Sequence, residues 1–255
     1  MGNMNLATNA KNTWCPGCGN FAILNSIKAV LGELIEEGFP REKIVIVSGI
    51  GCHAKIADYL NVNSFYSLHG RVVPVCEAIK LANPELKVIG FAGDGDTYGE
   101  GLEHLIFAAK RDIDINIIIH NNRVYGLTTG QYTPTSPLGF KGRSTPFGTT
   151  ESPINPLELM MASHASFIAR GYSHGIELLK KIFKEGIQHK GFSLMDVLQV
   201  CVTFYNMYDY YNSRVYELKD HDSKDYDMAL KKIREWDYNY DSKISLGVFY
   251  KNDHI

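Results

Sequence analysis

The side chains able to do chemistry in this sequence fall into a set of cysteines and two acid–amide turns. Cys15-Pro16-Gly17-Cys18 is a paired-thiol turn, and Cys52 and Cys201 each follow an apolar run. A lone CxxC fits zinc, a redox dithiol or an iron–sulfur cluster. No second CxxC is present to complete a zinc ribbon. If a sheet edge gathers Cys52 and Cys201 beside the turn, four thiolates converge, which suits a cubane iron–sulfur cluster or a structural zinc. Cys76, inside the helical pattern VCEAIKL, reads as a packed, inert thiol. The acid–amide turns are Gly93-Asp94-Gly95-Asp96, after the apolar run 88–92, and His120-Asn121-Asn122, after 113–119. A carboxylate, an amide and glycines that permit close backbone approach suit a magnesium ion carrying a diphosphate. The run DGDTYGEGLEHL makes a poor calcium loop, because Tyr98 and Leu105 stand where oxygen ligands belong. No G-x-G-x-x-G accompanies it.

His53 and His69 lie in glycine-flanked loops and are the donors best suited to a phosphate or a substrate carboxylate. They are the candidate catalytic side chains. His104 and His120 read as structural. Arg71 suits an anionic group or a salt bridge, and Asp96 a ligand contact or a helix cap.

These residues need elements that bring strand ends together. Residues 21–37 carry apolar positions at helical spacing, and 43–48 (KIVIVS) is a β-branched run. Residues 60–71 read as loop and 75–81 as helix. The unit 87–131 is strand, short helix, strand. Residues 132–153, rich in Pro, Gly, Thr and Ser, are too long for a simple connector and read as a functional loop. A helix over 156–163, a strand over 167–170, an amphipathic helix over 177–189 and a last buried strand over 192–200 follow. This alternation predicts an α/β fold: a mostly parallel sheet with helices on both faces. Ligands of such sheets sit outside the carboxyl ends of the strands. After residue 201 the character changes, since nine of the fifteen tyrosines lie there. The expected division is 1–204 as the cofactor domain and 205–255 as a C-terminal extension packing on that domain or on a partner subunit.

The chain of 255 residues is long enough for a sizeable core, and 45% hydrophobic with 21% charged residues is ordinary for a globular protein. A net charge of −2 gives no case for nucleic acid or an anionic membrane. The odd cysteine count and the absence of a basic-apolar leader predict a cytoplasmic protein with reduced thiols.

WCPGCGN, SGIGC, LHGR, GDGD, HNNRVYGLTTGQ and LQVCVTF occur in this order between Trp14 and Phe204. Together they resemble the beta subunit of the 2-oxoacid:ferredoxin oxidoreductases, thiamine-diphosphate enzymes. The resemblance implies a thiamine-diphosphate-binding fold and coenzyme-A-dependent oxidative decarboxylation of a 2-oxoacid to an acyl-CoA and CO2, with electrons passed to ferredoxin. It implies Cys15, Cys18, Cys52 and Cys201 as ligands of a 4Fe-4S cluster, and Asp94, Asn122 and the Val124 carbonyl as ligands of magnesium. It implies Ile50, Gly51, Cys52, His53, His69, Gly95, Asp96, Gly126 and Leu127 around thiamine diphosphate. The glutamate that activates the cofactor would come from a separate alpha (or fused gamma-alpha) chain, so the expected enzyme is an obligate complex. Two positions depart from the pattern: His53 replaces a common small serine, and Thr129 a common lysine. A threonine cannot pair with the distal carboxylate of 2-oxoglutarate, so pyruvate or a broad range is the expected substrate. The rival readings are a non-redox thiamine-diphosphate decarboxylase subunit and a non-catalytic zinc-stabilised interaction subunit.

Overall fold

The computed structural model describes residues 6–239 and 241–252. In chain order the helices are α1 (Asn20–Glu36), α2 (Ile56–Tyr59), α3 (Val72–Ala82), α4 (Leu102–Lys110), α5 (Pro156–Ala162), α6 (Ile176–Gln188), α7 (Tyr208–Asn212) and α8 (Tyr226–Ile233). The strands are β1 (Ile44–Ser48), β2 (Asn63–Tyr66), β3 (Lys87–Gly93), β4 (Asn116–Asn121), β5 (Val124–Tyr125), β6 (Gln131–Tyr132), β7 (Phe167–Tyr172), β8 (Ser193–Leu198), β9 (Val215–Glu217) and β10 (Ile244–Lys251). Eight of them form one sheet in the order β2-β1-β3-β4-β8-β7-β10-β9, and β5 pairs with β6 as a separate hairpin. All neighbours in the main sheet run parallel except β10 against β7.

The continuous apolar runs of the central strands follow from burial on both faces. In β4, Ile118 enters one core with Ile23, Ile27 and Leu31 of α1 and Ile182 of α6. Its neighbours Ile117 and Ile119 enter the opposite core with Val72 of α3, Leu105 of α4 and Leu157 of α5. Lys184 of α6 reaches Glu33 and Glu37 at the end of α1, at 2.9 and 2.7 Å, across the surface of that helix pair.

Three features differ from the sequence reading. Residues 60–71 contain an edge strand, β2, whose four residues are all exposed, so no buried apolar pattern announces it. The helix expected over 75–81 begins three residues earlier and takes in Val72 and Val73. The strand over 192–200 is not the last: β9 and β10 follow, and β10 pairs with β7. Gly247, at φ +135, and a register shift between Val248 and Tyr250 break the pattern of β10 and hide it from a periodicity reading. Residues after 205 are thus woven into the sheet, and Tyr211, Trp236 and Tyr238 bury themselves against Tyr172, Leu198 and Val200. Among the described residues no helix is long and apolar enough to cross a membrane.

Candidate functional site

β1, β3, β4 and β8 lie side by side and parallel, so their carboxyl ends open onto one edge. Each end feeds the site. β1 leads into Gly49–His53, β3 into Asp94-Gly95-Asp96, β4 into Asn122 and the β5–β6 hairpin, and β8 into Gln199-Val200-Cys201.

One cleft of about 80 Å³ is lined by Ile50, Gly51, Cys52, His53, His69, Gly95, Asp96, Gly126 and Leu127, with Asp94, Asn122 and Val124. All residues expected around a diphosphate and its metal are therefore brought together. A second cavity of about 330 Å³ is lined by Cys15, Cys18, Cys52 and Cys201, with Trp14, Asn122, Gly126, Gln199 and Phe204 among its other walls. Cys52, Asn122, Gly126 and Leu127 face both cavities.

Asp94 is 2% exposed and has no cationic partner among the described residues. Burial pushes its carboxyl up to about 6, against hydrogen bonds from Thr133 and Thr135 that pull it down. Thr135 Oγ1 lies 2.9 Å from Asp94 Oδ2 and 3.0 Å from Asn121 Oδ1. Asn122 Oδ1 accepts from the Val124 amide at 3.0 Å, which ties two expected metal ligands into one turn. Gly95 is required by crowding: a Cβ there would stand 2.3 Å from the Tyr125 ring. Asp96 does not cap a helix with its side chain. It accepts from the Gly70 amide and lies 3.2 Å from His53 Nε2 and 3.7 Å from His69 Nδ1. His53 Nε2 and Asp96 Oδ2 make no aligned hydrogen bond in this buried setting, while His69 Nδ1 also lies 3.0 Å from Glu100 Oε2. Buried polar atoms without partners at a cleft invite a polar ligand.

The cysteines come from three segments. Cys18 amide donates to Cys15 carbonyl at 3.0 Å, closing the turn. Trp14 Nε1 donates to the Cys52 carbonyl at 2.6 Å, fastening the turn to the β1 loop. A Cβ at Gly126 would lie 3.7 Å from both Cys52 and Cys201 sulfurs, so those sulfurs are no farther apart than twice that distance. Burial pushes the Cys18 thiol up to about 12, and Cys201, Cys52 and Cys15 push it the same way; burial also raises Cys52. Such mutual repulsion is relieved by a bound cation that keeps thiols deprotonated. Among the described residues no three His, Cys, Asp or Glu side chains converge tightly enough for a single metal ion.

The other candidates are structural. Cys76 is fully buried under the opposite face of the sheet, and burial raises its thiol. His120 bonds to Asn20 Oδ1 at 2.8 Å, and burial lowers its pKa well below the usual value, so it is neutral. His104 faces Glu103 at 3.7 Å. Arg71 spends its guanidinium on the carbonyls of Gly70 and Glu100 at 3.1 and 3.3 Å.

Four supporting residues escaped the sequence reading. Asp196, in the middle of β8, accepts from Tyr98, Asn121 and Tyr238 at 3.1, 3.0 and 3.0 Å. A charge inside a buried strand was a signal in SLMDVLQV. Arg123, at φ 60 and 1% exposed, donates to the Thr135 carbonyl at 2.7 Å and to the Tyr238 carbonyl. The C-terminal segment therefore buttresses the loop that holds Asp94. Gln199, in the wall of the cysteine cavity, accepts from Asn122, which faces both cavities. Arg143 is the fourth: it donates to the Thr129 hydroxyl, and its amide bonds to the Gly130 carbonyl at 3.3 Å. The hairpin loop is not without a cation; a distant part of the chain supplies one.

The comparisons with known proteins agree with this geometry. Residues 49–197 match the model of the thiamine pyrophosphate enzyme C-terminal TPP-binding domain, and residues 201–255 match that of the C-terminal part of the pyruvate ferredoxin oxidoreductase beta subunit. The 2-oxoacid:ferredoxin oxidoreductase subunit beta of Saccharolobus solfataricus is 41% identical over 258 positions, covering 96% of this chain and 83% of the relative. The 2-oxoglutarate oxidoreductase subunit KorB of Mycobacterium tuberculosis is 42% identical over 191 positions, 75% of this chain and 50% of the relative. The solved 2-oxoglutarate:ferredoxin oxidoreductase from Magnetococcus marinus, with 2-oxoglutarate, coenzyme A and succinyl-CoA bound, superposes with a TM-score of 0.92 at 31% identity, over 100% of this chain and 87% of that one. A thiamine-pyrophosphate-binding sheet edge and a C-terminal segment of the same lineage, matched along nearly the whole chain, place this protein in the family of 2-oxoacid:ferredoxin oxidoreductase beta subunits.

Proposed function

We propose that this beta chain, joined to an alpha (or gamma-alpha) chain, carries out coenzyme-A-dependent oxidation of 2-oxoacids to acyl-CoA and CO2, and delivers the electrons to ferredoxin through a 4Fe-4S cluster. The carrying observation is the sharing of Cys52, Asn122, Gly126 and Leu127 between the acid–amide cleft and the four-cysteine cavity. When bound, thiamine diphosphate supplies the electron sink for loss of CO2, and the cluster supplies the electron outlet.

Asp94, the Asn122 side chain and the Val124 carbonyl would hold magnesium on the diphosphate. The buried Asp94 carboxylate suits that role, because a divalent cation offsets its desolvation. Gly95, Asp96, Ile50, Gly51, Gly126 and Leu127 would line the cofactor. His53 and His69 would present ring nitrogens to the cofactor or the substrate carboxylate, held in place beside Asp96. Cys15, Cys18, Cys52 and Cys201 would ligate the cluster, with Thr203 Oγ1 donating to the Cys15 sulfur at 3.3 Å. The non-redox decarboxylase reading leaves these four cysteines without a task, and the zinc reading leaves Asp94 and Asn122 without one.

A cleft of about 80 Å³ is far below the roughly 300–1,000 Å³ of a self-contained ligand pocket. That supports a site completed by a second chain. Leu68, 76% exposed beside His69, and half-exposed Leu127 flank the cleft and suit such a partner. Purified beta chain is expected to show no 2-oxoacid-dependent reduction of ferredoxin, and the reconstituted complex to show it. Activity in the beta chain alone would refute the shared site.

Arg143 reopens the substrate question. Its guanidinium rests on Thr129, in the loop expected to face the substrate, and can pair with a second carboxylate. The reading is therefore a broad range that takes 2-oxoglutarate as well as pyruvate. In the complex, Arg143→Gln should raise KM for 2-oxoglutarate by roughly 10–100-fold, as expected for loss of a charged hydrogen bond, and leave KM for pyruvate nearly unchanged. Equal losses on both substrates would remove Arg143 from substrate selection.

A further inference from the structure

We infer that Gln199 is a positioning residue that couples the two cofactor sites, so that filling the diphosphate cleft alters the electron affinity of the cysteine cavity and the reverse. The inference rests on the functional reading above and deepens it.

Gln199 is the first residue after β8 and is 1% exposed. Its Oε1 accepts from Asn122 Nδ2 at 3.1 Å. Its Nε2 donates to the Val200 carbonyl at 2.6 Å and to the Cys18 sulfur at 3.5 Å. Both amide protons and the carbonyl are engaged, so reversing the amide would break all three contacts. The network thereby fixes the orientation. Asn122 is held in turn: its NH2 is committed to Gln199 and its Oδ1 accepts from the Val124 amide. One buried side chain therefore touches an expected metal ligand of one site and an expected cluster ligand of the other.

The energetic consequence follows from linkage. Hydrogen bonds to cluster sulfurs raise the reduction potential. Engaging Asn122 Oδ1 with a metal polarises the amide, and the pull passes through Gln199 to the Cys18 sulfur, because hydrogen bonds in a buried chain reinforce one another. Any such effect on cluster reduction must be matched by an equal effect of reduction on cofactor affinity. The cofactor site would then set the cluster's readiness to accept an electron.

The test uses the anaerobic two-chain complex of wild type, Gln199→Glu and Gln199→Leu. The cluster midpoint is measured by EPR-monitored titration with and without magnesium and thiamine diphosphate, and cofactor affinity is measured by calorimetry. In wild type, the cofactor should raise the midpoint. Gln199→Leu should shift the redox equilibrium against reduction by about tenfold, or 59 mV for one electron, weaken the cofactor severalfold, and abolish the cofactor-dependent shift. Gln199→Glu keeps an oxygen for Asn122 but loses the N–H to sulfur. Its added charge lowers the midpoint by itself, so its readout is the cofactor-dependent shift, which should be lost while cofactor affinity stays near wild type, even if the leucine variant assembles poorly. A cofactor-dependent shift retained in the glutamate variant would overturn the coupling. A wild-type complex without a cluster signal would instead overturn the functional reading, and this inference with it.

Discussion

Asp94→Asn is expected to make the cofactor-free chain more stable above pH 6 while abolishing its stabilisation by magnesium and thiamine diphosphate. Asp94 is 2% exposed, and burial raises its carboxyl to about 6, above the ordinary 3.8. A carboxyl whose folded pKa is raised favours folding fully below its unfolded pKa, and that contribution is lost as pH rises through the folded pKa. The wild-type chain should therefore lose stability relative to Asp94→Asn between about pH 4 and 6, reaching a deficit of about 1–3 kcal/mol at pH 7. The upper end is the charge term alone; the asparagine amide must also be desolvated. Cofactor offsets most or all of that deficit in wild type alone, since ligand at about 100 times Kd stabilises the binding-competent protein by about 2.7 kcal/mol. Urea unfolding of both proteins at pH 5 and 7, with and without magnesium and thiamine diphosphate, checks the four values. A variant less stable than wild type when empty at pH 7, or one still stabilised by the cofactor, would contradict the assignment of Asp94.

Cys201→Ser is expected to separate the two sites. Cys201 faces only the cysteine cavity, while Cys52 faces both cavities. The serine variant should lose the cluster's visible absorption and all ferredoxin reduction, yet keep thiamine diphosphate affinity within about threefold of wild type, under 1 kcal/mol. Cys52→Ser should harm both. Cys76 cannot rescue either variant: it lies in the opposite core, where a Cβ on Gly90 would stand 3.0 Å from its sulfur. An unchanged cluster in Cys201→Ser would mean that a non-cysteine side chain is the fourth ligand.

Much of the site was readable because its residues end parallel strands. An apolar run that stops at Gly93-Asp94 or Asn121-Asn122 reports both the strand and the loop in one local signal. The parallel pairings Ile89–Asn116 and Asn116–Ser193 then place those stops side by side without further information. Cys52 and Cys201 follow the same rule, but Cys15 and Cys18 lie in a turn before α1, and only the resemblance made the four one ligand set. What escaped depends on where the chain returns. Arg143 meets Thr129 only because residues 139–149 fold back on the hairpin, with Thr149 bonded to Phe140 and Arg143 to Gly130. Thr135, Tyr238 and Gln199 act through hydrogen bonds to residues far away in the chain, and no spacing in the sequence encodes those partners. The tyrosine-rich end was readable only as packing on its own domain or on a partner, because nothing local distinguishes a tyrosine that covers a partner from Tyr211 or Tyr238, each 1% exposed within its own domain.

The central claim is that one sheet edge holds a thiamine cofactor and an electron outlet in contact with each other. The most direct measurement is an anaerobic preparation of the assembled complex, analysed at once for iron, acid-labile sulfide, zinc, thiamine diphosphate and the visible and EPR spectra. The account predicts thiamine diphosphate together with a four-iron cluster in each beta chain, and a cluster signal that appears on adding 2-oxoacid and coenzyme A. Thiamine diphosphate without iron, or stoichiometric zinc in place of iron, would contradict it.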